Sequence, residues 1–223
     1  MRVFIVAPVF NEEERILGVL KRISNLKLDK KIIVVDDGSF DNSCKVVKNN
    51  FKDVLLLGHS INLGKGAALK TGCEAAIKLG AKIIVLIDAD GQHSPEVISE
   101  MVKKLKKENL DIIFASRKMD VKKMPLVLYF GNKFLTGFTN FFAGVSISDS
   151  QCGFKAFKAS VYNKLIWNST DYSAESEMII NAGKNKLKYG EVFIETIYKD
   201  NYKGTTPFDG ISVIINLIKK RFL

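Results

Sequence analysis

Asp88-Ala89-Asp90-Gly91-Gln92 follows directly on the apolar run Ile83–Ile87. A short β-branched run of this kind reads as a buried strand, so the two carboxylates and the amide stand at a strand's carboxyl end. Alternation along the strand would point Asp88 and Asp90 to one side. Two carboxylates and an amide oxygen form a hard, open donor set. It suits Mg²⁺ or Mn²⁺ held jointly by Asp88, Asp90, Gln92 and the phosphate oxygens of a substrate. The plainer reading is a solvated turn closed by Gly91. Other motifs fail on detail. A calcium loop needs a third acid and a late glutamate. Gly58 to Lys65 is one residue too long for a P-loop, and Gly66 stands where Ser or Thr belongs. Leu69 follows Gly64-Lys65-Gly66 where a dinucleotide fingerprint wants a small residue.

Two further polar segments end apolar runs: Pro8-Val9-Phe10-Asn11-Glu12 after Val3–Val6, and Asp36-Asp37-Gly38-Ser39 after Ile32–Val35. A carboxylate at the second could accept hydrogen bonds from ribose hydroxyls or a base. Its plainer reading is a capped strand-to-helix loop. Val54–Leu57 and Ile112–Ala115 are the remaining strand-like runs of the first half, and helical patterns separate all five. Asn11 ahead of three glutamates, and Ser94-Pro95-Glu96, read as helix starts. Buried, non-alternating strands separated by helices imply an α/β domain, a Rossmann-like and mostly parallel sheet with helices on both faces. Such sheets bind ligands in the crevice at the carboxyl ends of their strands, where the three polar segments would converge.

The second half changes character. Gly153–Phe157 and Glu191–Tyr198 read as strands, and Ala174–Lys184 as a helix. Leu126, Phe130, Phe134, Phe138 and Phe142 recur every four residues, with Asn132, Lys133, Thr136 and Asn140 off the stripe. That is an amphipathic helix, lying on a membrane or forming part of the core. Ile211, Ile214, Ile218 and Phe222 repeat the pattern beside Lys219, Lys220 and Arg221. An apolar face with basic residues suits an in-plane interface helix, and packing on its own domain or a dimer partner is the other reading. The organisation expected is one domain over residues 1–210 and an amphipathic tail over 211–223.

The chain has 223 residues, 47% of them apolar, and a formal net charge of +10. It is a folded globular protein whose charge favours phosphorylated ligands or an anionic surface. The lysines are dispersed, which disfavours nucleic acid. Three distant cysteines make neither a metal spacing nor a disulfide framework, and they fit a reducing cytosol. No signal peptide opens the chain, and polar residues interrupt Leu126–Val145 too often for a membrane span.

Taken together, Pro8 to Glu12, Val35 to Ser39, Asn62-Leu63-Gly64-Lys65-Gly66, Asp88 to His93 and Ser116-Arg117 resemble the large inverting glycosyltransferase family with the GT-A fold. The likeness is strongest to its dolichol-phosphate mannosyltransferase-like branch, which glycosylates polyprenyl phosphates. The resemblance implies roles. Pro8, Phe10, Glu12 and Asp37 would hold the nucleoside, with Asp88 and Ala89 along the donor. Asp90 and Gln92 would ligate the metal. Arg117 would face the donor diphosphate or the acceptor phosphate, and Lys65 would add to the charge opposite the diphosphate.

Asp149 to Lys155 resembles the family's acceptor-side segment, and Glu175 and Glu177 its acidic pair. Where relatives carry an arginine-containing stretch, this chain has Lys199 and Lys203. The expected reaction moves a hexose from a GDP- or UDP-linked donor to a polyprenyl phosphate, with inversion, at the cytoplasmic face of a membrane that supplies lipid-linked sugars for protein glycosylation. A lipid phosphate, with a second pKa near ~6, needs no general base. A sugar-hydroxyl acceptor would need one, from Glu175 or Glu177. A hydroxyl-directed transferase and a non-catalytic nucleotide-sugar-binding subunit remain the alternatives. A phosphatase of the haloacid-dehalogenase type is disfavoured by Gly91-Gln92.

Overall fold

The computed structural model describes residues 2–118 and 126–195. In chain order the strands are β1 (Val3–Val9), β2 (Lys30–Asp36), β3 (Val54–Gly58), β4 (Ile83–Leu86), β5 (Ile112–Arg117), β6 (Lys155–Lys158) and β7 (Tyr189–Ile194). The helices are α1 (Ile16–Ser24), α2 (Ser43–Asn50), α3 (Lys65–Lys78), α4 (Val97–Lys107), α5 (Leu126–Ala143), α6 (Tyr162–Leu165) and α7 (Ser173–Lys184). One seven-stranded sheet runs in the order β3-β2-β1-β4-β6-β5-β7. All its pairings are parallel except those of β6, which runs antiparallel to both β4 and β5.

Successive residues of the central strands serve opposite faces. Phe4, Val6, Ile33, Val35, Ile84 and Leu86 join a core with Leu69 of α3, Leu135 of α5 and Met178 of α7. Val3, Ile5, Ile32, Val34, Ile83 and Val85 join another with Ile16 and Leu20 of α1 and Met101 and Leu105 of α4. Burial on both faces is why these strands read as unbroken apolar runs rather than alternating ones. The chain leaves β1 towards β2 on one side and returns to β4 on the other. The carboxyl ends of β1 and β4 therefore flank a topological switch point, where a crevice opens.

Several local expectations change. Helix α1 begins at Ile16, so Glu12 to Glu14 precede it and no acidic residue lies in its first turn. Asn11 is instead a left-handed residue (φ 54°) whose side chain binds the neighbouring loop. Ser94 does not cap α4 with its hydroxyl, which accepts a hydrogen bond from Arg22 at 3.2 Å. Strand β7 ends at Ile194, and residues 196–223, including the tail of 211–223, lie outside the described residues.

Helix α3 lies very close to the sheet. A Cβ on Gly72 would meet Val6 Cγ1 of β1 at 2.3 Å and Val35 Cγ2 of β2 at 3.2 Å. Gly72→Ala must therefore push the helix away from β1 and β2. We expect a loss of roughly 1–3 kcal/mol in urea denaturation. An unchanged midpoint would show that α3 has slack.

Candidate active site

The polar segments after β1 and β2 are stitched to each other and to the start of α3. Asn11 N–H donates to Ser39 Oγ at 3.0 Å, Phe40 N–H to Asn11 Oδ1 at 2.9 Å, and Glu12 N–H to Ser43 Oγ at 2.8 Å. The Glu12 carboxylate accepts from Arg15 at 2.9 Å. Asp37, almost fully buried, accepts from the backbone N–H of Leu63 at 3.0 Å and of Gly64 at 2.8 Å. Gly64 begins α3 at φ 96°, and a Cβ there would stand 2.4 Å from the carbonyl oxygen of Thr170. A glycine is required on both counts. Trp167 Nε1 donates to Gly66 O at 2.9 Å, and Gly66 N–H to Thr170 O at 2.6 Å, so the segment before α7 clamps the start of α3.

That clamp aims Lys65. Its ammonium contacts Asp88 Oδ1 at 2.7 Å and Glu175 Oε1 at 2.6 Å, with the ring of Tyr172 5.5 Å away. Burial works against the ammonium, but the two carboxylates outweigh it and hold its pKa above the ordinary lysine value. Burial likewise works against the Asp88 carboxylate, and the charge of Lys65 lowers its pKa all the same. A Cβ on Gly153 would lie 2.7 Å from Asp88 Oδ2, 2.7 Å from Glu175 Oε1 and 2.9 Å from Lys65 Nζ, so the cluster occupies space that any side chain at 153 would take.

Asp90 differs. Burial first, and then the charge of Asp88, push its pKa up to about 6. Its Oδ1 accepts from Gln92 N–H at 2.9 Å, and among the described residues no cation lies within ion-pair distance of it. His93 is buried and stacks on Phe154 at 5.8 Å; burial lowers its pKa. Arg117 turns its fork to Asp149, with Nε at 2.6 Å and Nη2 at 3.1 Å, a bidentate pair that positions the guanidinium at the cleft wall.

The resulting cleft, about 570 Å³, is lined by Pro8, Phe10, Glu12, Asp37, Lys65, Asp88, Ala89, Asp90, Gln92, Arg117 and Glu175 among others. These sequence-derived candidates thus meet in one place. Asp88 and Asp90 lie just beyond the end of β4, in a turn, and still line the same cleft. Glu177 is not among the lining residues: its carboxylate accepts from Asn168 N–H at 2.9 Å and from the Ser169 hydroxyl, bracing the clamp segment. Two residues along a helix point about 200° apart, which separates it from Glu175. Lys155 is buried under the site, donating to Cys152 O at 2.6 Å, and does not line the cleft. Lys199 and Lys203 lie outside the described residues.

Sequence reasoning missed His59, Tyr172 and the pairing of Lys65 with Glu175. Only the last left a trace, since both partners had been noted separately. Among the described residues no group of three His, Cys, Asp or Glu gathers as a metal cage. The donor set around Asp90 is of another kind, an under-compensated carboxylate with an amide neighbour.

The sheet order and the switch-point cleft with its acidic turn define an α/β domain whose ligand cleft opens at the carboxyl ends of its strands. Residues 4–166 match the sequence profile of glycosyl transferase family 2, and the chain belongs to that family. It is 40% identical to an uncharacterised protein of Methanocaldococcus jannaschii, over 98% of this chain and 92% of that one. It is 34% identical to the UDP-N-acetylglucosamine–dolichyl-phosphate N-acetylglucosaminyltransferase of Methanococcus voltae, over 97% and 94% of the respective chains. Glucosyl-3-phosphoglycerate synthase of Mycobacterium tuberculosis, solved with Mn²⁺, UDP and phosphoglyceric acid, superposes with a TM-score of 0.75. The superposition covers 100% of this chain and 79% of that one at 16% identity, a likeness of fold: the GT-A fold.

An acid whose pKa is higher folded than unfolded destabilises the fold when ionised. For Asp90 that cost is absent below about pH 4 and grows as the pH rises through about 6. Asp90→Asn should therefore stabilise the protein in chelator at pH 8 by roughly 1–3 kcal/mol, with the gain fading near pH 4. Equal urea midpoints for the two proteins at pH 8 would remove the idea that Asp90 lacks a counter-charge.

Proposed function

We propose that the protein transfers a hexosyl group from a UDP-linked sugar to a polyprenyl phosphate, with inversion at the anomeric carbon. The observation that carries the reading is the charge arrangement of the cleft: Lys65 between Asp88 and Glu175, and Asp90 partly buried beside them with no cation of the described residues at ion-pair distance. Similarity to a dolichyl-phosphate N-acetylglucosaminyltransferase across almost the whole chain supports both the UDP donor and the lipid phosphate.

The residues fit a divalent cation, Mg²⁺ or Mn²⁺. Burial and Asp88 oppose the ionised form of Asp90, and a cation would relieve that opposition. Asp90 and Gln92 would hold it, with Asp88 in reserve on the Lys65 side. When bound, it supplies Lewis-acid stabilisation of the leaving diphosphate. Pro8, Phe10, Glu12 and Asp37 line the nucleoside end of the cleft, and Lys65 and Arg117 bring positive charge to the phosphate end. Both cations are pre-aimed by carboxylates, so little reorganisation is needed as charge develops. An ionised phosphate oxygen can attack the anomeric carbon without a base. That suits a site whose candidate base, Glu175, is already engaged by Lys65.

Helix α5 supports a membrane surface as the place of reaction. Thr136 and Thr139 are buried on its inner side, whereas Leu126, Val127, Phe130, Phe134 and Phe141 are exposed on its outer side, Phe141 by 75%. Phe138 and Phe142 lie between, half-buried against the core. No helix of the described residues is long and apolar enough to cross a membrane. The outer face of α5 would instead lie in the interface, aided by the basic tail of residues 211–223, on the cytoplasmic side where the three free thiols stay reduced.

Purified protein with Mn²⁺, a panel of UDP-sugars and a short polyprenyl phosphate should yield a sugar-phosphate lipid, and chelator should stop it. Transfer only to sugar hydroxyls would assign Glu175 as base and overturn the phosphate acceptor.

Replacing Phe130, Phe134 and Phe141 together by Ser should cut binding to anionic vesicles by at least about tenfold, because each buried aromatic ring contributes on the order of 1.5–3 kcal/mol. UDP affinity should stay the same. Undiminished vesicle binding would mean that the apolar face of α5 meets something other than lipid.

A further inference from the structure

His59 follows the last residue of β3 and is tied to β2 through its own backbone, its N–H donating to Asp36 O at 2.9 Å. Its ring, 11% exposed, lies between two elements that build the cleft. Nδ1 stands 2.7 Å from Asp37 Oδ1, and Nε2 stands 3.0 Å from Thr71 Oγ1 of α3. An ionised carboxylate only accepts, so Nδ1 carries a hydrogen towards Asp37. Nε2 shares a hydrogen bond with the Thr71 hydroxyl, which can donate or accept, so Thr71 fixes the plane of the ring.

A carboxylate has about four acceptor directions. On Asp37, His59 and Leu63 N–H take Oδ1, and Gly64 N–H takes one direction of Oδ2. One direction of Oδ2 remains, on a residue that lines the cleft. The two backbone donors come from one turn and leave the carboxylate free to tilt about them. The ring of His59 approaches from another element and removes that freedom.

We propose that His59 is a positioning residue, its ring held in place by Thr71, which sets the Asp37 carboxylate so that its remaining Oδ2 direction accepts a hydrogen bond from the nucleoside of the donor. The inference rests on the nucleotide-sugar reading of the cleft. Nucleoside contacts are equal in ground and transition states, so the effect falls on binding and KM, not on kcat.

The test is calorimetry with UDP and Mn²⁺, together with donor kinetics. His59→Ala should weaken UDP binding about tenfold, the size of one charge-assisted hydrogen bond, and raise donor KM alike with kcat within about twofold. His59→Asn places its amide N–H where Nδ1 stood and should recover most of the loss. His59→Gln reaches Thr71 but not Asp37 and should not. Should His59→Ala fail to fold, Thr71→Val carries the test and must weaken UDP binding severalfold. The role is overturned by unchanged UDP affinity in His59→Ala or Thr71→Val, by equal rescue from Asn and Gln, or by a fall in kcat at constant KM. Absence of UDP binding to the unaltered protein would sink the nucleotide-sugar reading and this inference with it. Equal binding by both would sink only His59.

Discussion

The ammonium of Lys65 joins two carboxylates that come from distant parts of the chain, Glu175 being 110 residues away. Taking these charges out of water is costly, and their mutual attraction offsets the cost only when the geometry is good. Much of the surrounding structure serves that geometry. Gly64 turns the chain into α3, Trp167 and Thr170 clamp the first turn, Glu177 braces the clamp, and Gly153 leaves the space the three charges occupy. Removing Lys65 would leave two facing carboxylates without their counter-charge, whereas removing either carboxylate leaves Lys65 paired with the other.

Asp90 is the exception within this arrangement. A protein shaped for stability alone would give that carboxylate a lysine or return it to water. Here it is held partly buried beside Asp88 by a short loop bond to Gln92. The strain is electrostatic and local, and a cation arriving with a diphosphate would discharge it. Functional sites commonly keep such an unfavourable group at some cost to the fold.

Helix α5 shows a comparable inversion. Its inner side presents Thr136 and Asn140 to the domain, where Thr136 shares hydrogen bonds with Ser150 and Asn140 clasps both backbone groups of Ile147. Its C-terminal turn packs so closely on α7 that a Cβ on Gly183 would strike the carbonyl of Ala143. Polar groups can be buried there because each meets a partner on the loop ahead of β6, with the Thr139 hydroxyl the exception. Phe130, Phe134 and Phe141 are thereby left outside, while Leu135 and Ala143 enter the core and Phe138 and Phe142 pack half-buried against it.

Much of the fold was legible in the residues. Apolar runs between helical patterns determined five parallel strands, four of them with mostly buried residues. The polar segments after β1, β2 and β4 and the glycine-lysine-glycine start of α3 pointed to residues that line one cleft, because strand ends on one edge of a parallel sheet converge. The rest was decided in three dimensions. A four-residue stripe looks the same whether it faces core or solvent, so the orientation of α5 awaited its polar partners. Glu175 and Glu177 are equivalent as letters, and the rotation of α7 alone sends one into the cleft and the other into the clamp. His59 carried no pattern at all, since the bond that gives it meaning runs to Asp37 across two strands, and pairings of that range exist only once the sheet has formed.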